Sequence, residues 1–369
     1  MAYIWVPKPR FKPVNSSQLD KWYGAEQVAH VSAAMKDWYG PPIAMSHIPG
    51  NVKALKGGDF AGEAFTSRMR RAFAENWSKA RSLISNERGD FTSLSDLIAN
   101  AEKSREFIFL KVGPTGVVGV SSSLLQLGTI PAAAANAAAA PGGIANVDSD
   151  TGFPTFTNPT TANSMRVTSA WGTASVVNNS PLLYDCIFRV NKTMNSTATE
   201  AVTGVPTRYQ STVGGASDSA EGNFLFVQVG LTALAATAHN WTVCLYTDQG
   251  GVSSTLPSLT GNSAAIVHRL DHPVQQWFAP LAAGDTGIQQ LDQMQASALV
   301  ATGVINFVIG HPIAWMMFPI INTIFPFDYI STAFNLEPIF NDAALALLEV
   351  MKPATTATTY NIHVKAASK

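Results

Sequence analysis

The sequence predicts an α+β chain: a helical N-terminal arm and anchor region followed by a mainly antiparallel β-sandwich domain of jelly-roll type. Three observations predict it. Residues 1–110 hold 15 Lys+Arg and 11 Asp+Glu, whereas the other 259 residues hold only 9 and 14, so a normally charged part precedes a charge-starved one. Apolar residues between 62 and 84 recur at spacings of three and four, the helical period. Past residue 160 the pattern becomes short apolar runs separated by Gly, Asn, Asp, Ser and Pro, the signature of unrepeated antiparallel strands.

From the N-terminus, Pro7, Lys8, Pro9, Arg10, Phe11, Lys12 and Pro13 alternate proline with cations and an aromatic. Proline fixes φ and donates no hydrogen bond, so an extended arm is expected. Ile4, Trp5 and Phe11 would anchor it across a neighbouring subunit, because a solvated tail seldom carries such large apolar groups. Ser16 or Ser17 can cap a first helix running towards Trp38 and ended by Gly40-Pro41-Pro42. A second helix follows from about Gly62 through Phe65, Met69, Phe73, Trp77, Ala80 and Ile84, with Arg68, Arg71, Lys79 and Arg81 on its other side. Glu63, Glu75 and Glu87 interleave with those cations, which disfavours a nucleic-acid contact through helix 62–84. A third, shorter helix starts at Asp90.

Phe107–Val112 alternates as a first strand. The run from Pro131 to Gly143, two blocks of four alanines around Asn136, reads as a mobile or surface-hugging segment, or equally as one short helix. Strands are expected at Ser164–Ser169, Leu182–Val190, Asn223–Val229, Trp241–Tyr246, Ile266–Leu270, Ala298–Ile309 and Thr358–Val364. A helix is expected at Asn341–Met351, stopped by Pro353. The apolar stretch Val300–Phe327 reads as two buried strands joined at Gly310-His311-Pro312, its mid-segment prolines Pro312 and Pro319 and its polar residues arguing against a membrane span. The organisation is therefore 1–60, extended arm and first helix; 61–110, helical anchor; 111–150, Ala/Gly/Pro-rich linker with a first strand; and 151–369, β-sandwich domain.

The chain has 369 residues, 46% of them hydrophobic and only 13% charged, with a net charge of −1. A monomer stays apart from its copies by means of a charged surface, so this composition suits a protein whose faces are covered by neighbours. Cys186 and Cys244 each sit in a strand-like apolar run and are expected as buried free thiols. No nucleophile elbow, phosphate loop, dinucleotide fingerprint or zinc-helix motif occurs, so no catalytic residue, cofactor or metal is assigned. His268, Asp271 and His272, with His311 as a further partner, lack the spacing of a metal site. Trp171, Trp241, Trp277 and Trp315 could line a sugar site, although tryptophan in a sandwich is more often core.

The stretch Tyr184-Asp-Cys-Ile-Phe-Arg-Val-Asn-Lys-Thr-Met-Asn-Ser-Thr-Ala-Thr-Glu-Ala-Val-Thr-Gly204, together with Ala236–Tyr246, Gly303–Pro312 and Lys352–Tyr360, resembles a poorly characterised family of tailed-bacteriophage virion structural proteins. The resemblance covers about residues 160–369. It implies a place in the head shell, its decoration or a tail-associated layer, and it brings no catalytic residues. The helical spine of the usual tailed-phage shell protein is missing from the pattern. The expected function is therefore that of a virion structural protein, a capsid-shell or head-decoration component that self-associates as a trimer or larger and meets other virion proteins. Assembly is expected in the host cytoplasm, with no membrane partner and no enzymatic activity. The alternative is a receptor- or glycan-binding phage appendage.

Overall fold

The structure, a computed structural model, describes residues 104–156, 165–210, 220–261, 266–332, 336–350 and 352–367. The expected arm with Ile4, Trp5 and Phe11, the three N-terminal helices and the basic face of residues 62–84 lie outside the described residues.

Within them the chain is β almost throughout, which corrects the α+β expectation. The one helix among the described residues is a single turn, α1 (Tyr329–Thr332). Three antiparallel sheets replace the two of the expected jelly-roll sandwich. The first runs β14 (Phe325–Asp328), β5 (Met165–Ala174), β17 (Thr359–Ala367), β1 (Ser104–Val112) and β3 (Thr129–Ile130), with β15 (Pro338–Ile339) also on β5. The second runs β10 (Ser253–Thr255), β9 (Asn240–Asp248), β12 (Ile288–Ala296) and β7 (Glu200–Ala201), with β11 (Leu259–Thr260) on β9. The third runs β2 (Ser122–Ser123), β16 (Leu345–Val350), β6 (Ser180–Thr193), β13 (Val304–Trp315) and β8 (Phe224–Val229), with β4 (Ile144–Ala145) on β6.

The patterns follow from burial. β17 alternates: Tyr360, Ile362, Val364 and Ala366 are buried and Thr359, Asn361 and Lys365 exposed, as for a sheet with one covered face. β6 is buried without a break from Pro181 to Val190, because both faces of the third sheet are covered. Leu183, Ile187, Phe307 and Leu345 join the main core with Trp241 and Ile362. Leu182, Tyr184, Cys186, Phe226, Val308 and Leu348 form a second cluster on the opposite face.

The third sheet curls into a half-barrel, and one stretch bridges its two edges. The backbone of His268–Asp271 pairs with β8 (His268 N–H to Val229 O, 2.9 Å; Asp271 N–H to Val227 O, 2.8 Å) and with β2 (Ser123 N–H to His268 O, 2.9 Å; Leu270 N–H to Ser121 O, 3.0 Å). The strand expected at Ile266–Leu270 is thus a strap, 268–272, held by bridges on both sides.

Two further expectations are corrected. The helix expected at Asn341–Met351 does not form over its described residues, 341–350. Its alanines and leucines are good helix formers, but they become β16 because neighbours cover both faces, and tertiary burial outweighs propensities of a few tenths of a kcal/mol per residue. Gly310-His311-Pro312 is not a turn either; β13 runs straight through it on β6, with register shifts at Ile309/Gly310 and Pro312/Ala314. The shifts accommodate a proline that cannot donate to the ladder. Glycine is required at 310 by close approach: a Cβ there would lie 2.7 Å from the Tyr184 ring and 3.1 Å from that of Phe224. Gly310→Ala is therefore expected to destabilise the fold by about 1–3 kcal/mol, the cost of overpacking a filled core, read as an earlier denaturant midpoint at unchanged m.

The alanine-rich run adopts no helix. It lies across β6 and β13, where Ala134 and Ala137 are buried. Its backbone bonds to Leu125 O, to Asn306 Oδ1 and to both the N–H and the carbonyl of Asn191.

Candidate interaction surface

β13 leaves the third sheet at Trp315, and the next nine residues cross the ends of β5 and β6. Their backbone is anchored: Met316 N–H to Pro181 O (3.0 Å), Phe318 N–H to Asn179 O (2.9 Å), Asn178 N–H to Phe318 O (2.8 Å) and Asn322 N–H to Ala174 O (2.9 Å). This anchoring imposes alternation, so Met316 and Phe318 are buried while Trp315 and Met317 face out at 47% and 54% exposure. Ile320, Ile321 and Ile324 follow at 55%, 49% and 68%. Five large apolar side chains are thus presented to solvent within ten residues. Isolated exposed apolar residues are ordinary, but a group of them on one hydrogen-bonded stretch makes this a candidate interaction face.

A second segment adjoins it. Trp277 meets Trp315 edge to face (ring centroids 5.3 Å, 83°), packs on Phe278 (4.7 Å) and rests on Phe224 of β8 (5.1 Å). Phe278 is exposed and Trp277 partly so. Tyr329 donates its hydroxyl to the Trp315 carbonyl at 2.8 Å, and burial pushes that phenol well above its usual pKa. Rings held in this way lose little freedom when another surface covers them.

The face is electrically blank. No Asp, Glu, Lys or Arg occurs between Asp292 and Asp328. The one titratable group in that interval, His311, turns inward. It stacks on Tyr209 (3.8 Å, 10°), with Nδ1 2.8 Å from Asn223 Oδ1 and Nε2 3.4 Å from Glu337.

The other candidates are drawn apart. Asp271 is fully buried and accepts from His239 Nε2 (2.9 Å) and from Trp241 Nε1 (2.8 Å). His272 Nε2 accepts the Val227 N–H at 2.8 Å. His268, Asp271, His272 and His311 therefore form no common site, and no group of three or more metal-capable side chains occurs among the described residues. Asp185 is held by Arg208 through two bonds (2.8 and 2.7 Å), and Glu349 by Lys352 and Tyr360. Cys186 and Cys244 are buried free thiols that burial pushes up to about 12. Of the four tryptophans considered for a sugar site, Trp241 is core, Trp171 stacks half-buried on His363, and Trp277 and Trp315 share the exposed face.

Sequence reasoning singled out Val300–Phe327 but not the exposure of its last third, since a run of apolar residues reads as core. The missing charge from residue 293 to residue 327 was the available signal. Comparison with known protein families, with curated proteins and with solved structures finds none that matches this chain.

Proposed function

We propose that the chain is a non-enzymatic building block that works by self-association, as a structural component of a bacteriophage particle. The observation that carries the reading is the ordered, uncharged apolar face of Trp315–Ile324 with Trp277 and Phe278. A second copy is the occupant it fits: a surface without charge has nothing to repel its own image, and a net charge of −1 leaves copies free to approach. The phage assignment draws on the resemblance of residues 160–369. Repeated contacts of about 800 Å² per partner would then sum to a particle more stable than any single interface.

Light scattering at rising protein concentration tests it. Defined oligomers are expected for the unaltered chain. The exposed pair Ile320→Asp/Ile324→Asp, which touches no core contact, is expected to weaken association by at least about 100-fold while leaving the near-UV circular dichroism unchanged. A 39.2 kDa monomer at all concentrations, or a variant that associates like its parent, overturns the proposal.

The three clustered rings favour a second reading, a receptor- or glycan-binding appendage, because aromatic faces stack on the apolar faces of sugars. Saturable quenching of tryptophan fluorescence by oligosaccharide in the monomeric variant would support it.

A further inference from the structure

The strap 268–272 closes the half-barrel and, within six residues, delivers Trp277 and Phe278 to the exposed face. Its connection to that face is tight: Gln275 N–H reaches Gly119 O and Ala279 N–H reaches Leu225 O, each at 2.7 Å. What holds the strap is unusual in its histidines. His272 is buried and uses Nε2 to accept the Val227 N–H, so its proton sits on Nδ1, which is buried with no partner. His268, at φ 71°, hydrogen-bonds both sheet edges through its backbone, and its Nδ1 is likewise buried without a partner. Both sites accommodate a neutral ring. A second proton on His272 would set an N–H against the Val227 N–H and bury an uncompensated charge.

We propose that the strap is an acid-released latch for the association face: protonating His272, together with His268 on the same strap, frees 268–272 from β8 and β2 and displaces Trp277 and Phe278. The proposal rests on the self-association reading for the role of that face.

The groups around the latch set its direction. The charge acting on His272 is Asp271, whose carboxylate already accepts from His239, in the loop before β9, and from Trp241 of β9. Arg269 lies between the two strap histidines in sequence, and β8 and β2 bring only uncharged side chains. Burial pushes His272 down to about 4 against the weaker pull of Asp271, and burial also lowers His268. Both groups are lowered in the closed form, so each contribution to closure is complete above about 6.5, and that of His272 is lost as pH falls towards 4. His272 therefore shifts the equilibrium about tenfold per pH unit within that window. His239 has the opposite sign. Burial lowers it, but Asp271 and the Thr237 carbonyl together outweigh burial and raise it. Its contribution is present below 6.5 and fades as pH rises through the raised value, so in acid it favours closure and offsets part of the release by a fixed amount.

Amide and imidazole C2 hydrogen exchange on the full chain, with light scattering on the same samples, tests the latch between about pH 7.5 and 4.5. After correction for intrinsic rates, the amides of Val227, Val229, Leu270 and Asp271 are expected to exchange at least about tenfold faster at pH 5, with a His272 titration midpoint below about 5. His272→Gln keeps an acceptor for Val227 without a titrating ring and is expected to flatten that response. A His272 midpoint at or above about 6 in the unaltered protein, or an equal acid response in His272→Gln, overturns the latch; the first criterion holds even if the variant fails to fold. Acid-induced exchange without a change in particle mass would preserve the latch and sink the self-association reading. Association at neutral pH with no acid response in exchange would do the reverse.

Discussion

Arg208→Ala is expected to lower the stability of the β domain by about 3–5 kcal/mol, the range for stranding one partner of a buried ion pair, and hence its Tm by roughly 10 °C. The pair is enclosed. Arg208 and Asp185 are both buried and joined through Nε and Nη2, while Nη1 reaches the Asn146 carbonyl at 2.7 Å and lies 3.5 Å from Asp342. Asp185 also accepts the Ala344 N–H at 2.9 Å, so this carboxylate ties β6 to the residues leading into β16. Removing the guanidinium leaves a charge in the middle of β6 with no cation to meet it. The converse change, Asp185→Asn, keeps the shape but leaves Arg208 charged, and should cost a similar amount. Thermal unfolding followed by circular dichroism reads both, and a loss under about 1 kcal/mol for either would show that water reaches the pair.

The second large effect is expected at the end of β16. Lys352 lies 3.3 Å from Glu349 and donates to the Pro114 carbonyl at 2.7 Å, while Tyr360 donates to Glu349 at 2.8 Å. All three are buried, and burial followed by the nearby carboxylate raises the Tyr360 phenol far above its ordinary pKa. Lys352→Met should cost about 3 kcal/mol, because Glu349 then keeps only a neutral donor. Adding Glu349→Gln should recover most of the loss, since a neutral amide beside Tyr360 and an apolar side chain at position 352 leaves no buried charge. Chemical denaturation of the two singles and the double gives the coupling directly. If the double variant is no better than Lys352→Met alone, the destabilisation comes from the lost Pro114 contact and not from charge.

Several strands were legible because burial left its period in the residues. β17 and β1 alternate, and β6, β8 and β13 read as apolar runs between turn residues. β12 was illegible for a physical reason. Its buried residues Ile288, Leu291 and Met294 are spaced by three, because register shifts against β9 insert extra residues and erase the period of two. β16 misled in the other direction, its Ala-Leu-Ala-Leu-Leu-Glu composition favouring a helix that the surrounding sheet overrides. The exposed face was half legible: the uncharged interval is plain in the sequence, but the choice of which residues point outward is made by backbone bonds to Asn179, Pro181 and Ala174. The pairing of His239 with Asp271, 32 positions apart, carries no sequence signal at all.

The strap also decides what kind of contact copies of this sheet can make. An open sheet offers a row of unpaired amides on which any extended chain can template itself, the route by which sticky β proteins turn into fibres. With 268–271 zipped to β2 on one side and β8 on the other, the third sheet presents no such row where the strap lies. A copy meeting the third sheet there would be recognised by the shape of side chains, and shape, unlike a bare strand, distinguishes one orientation from another.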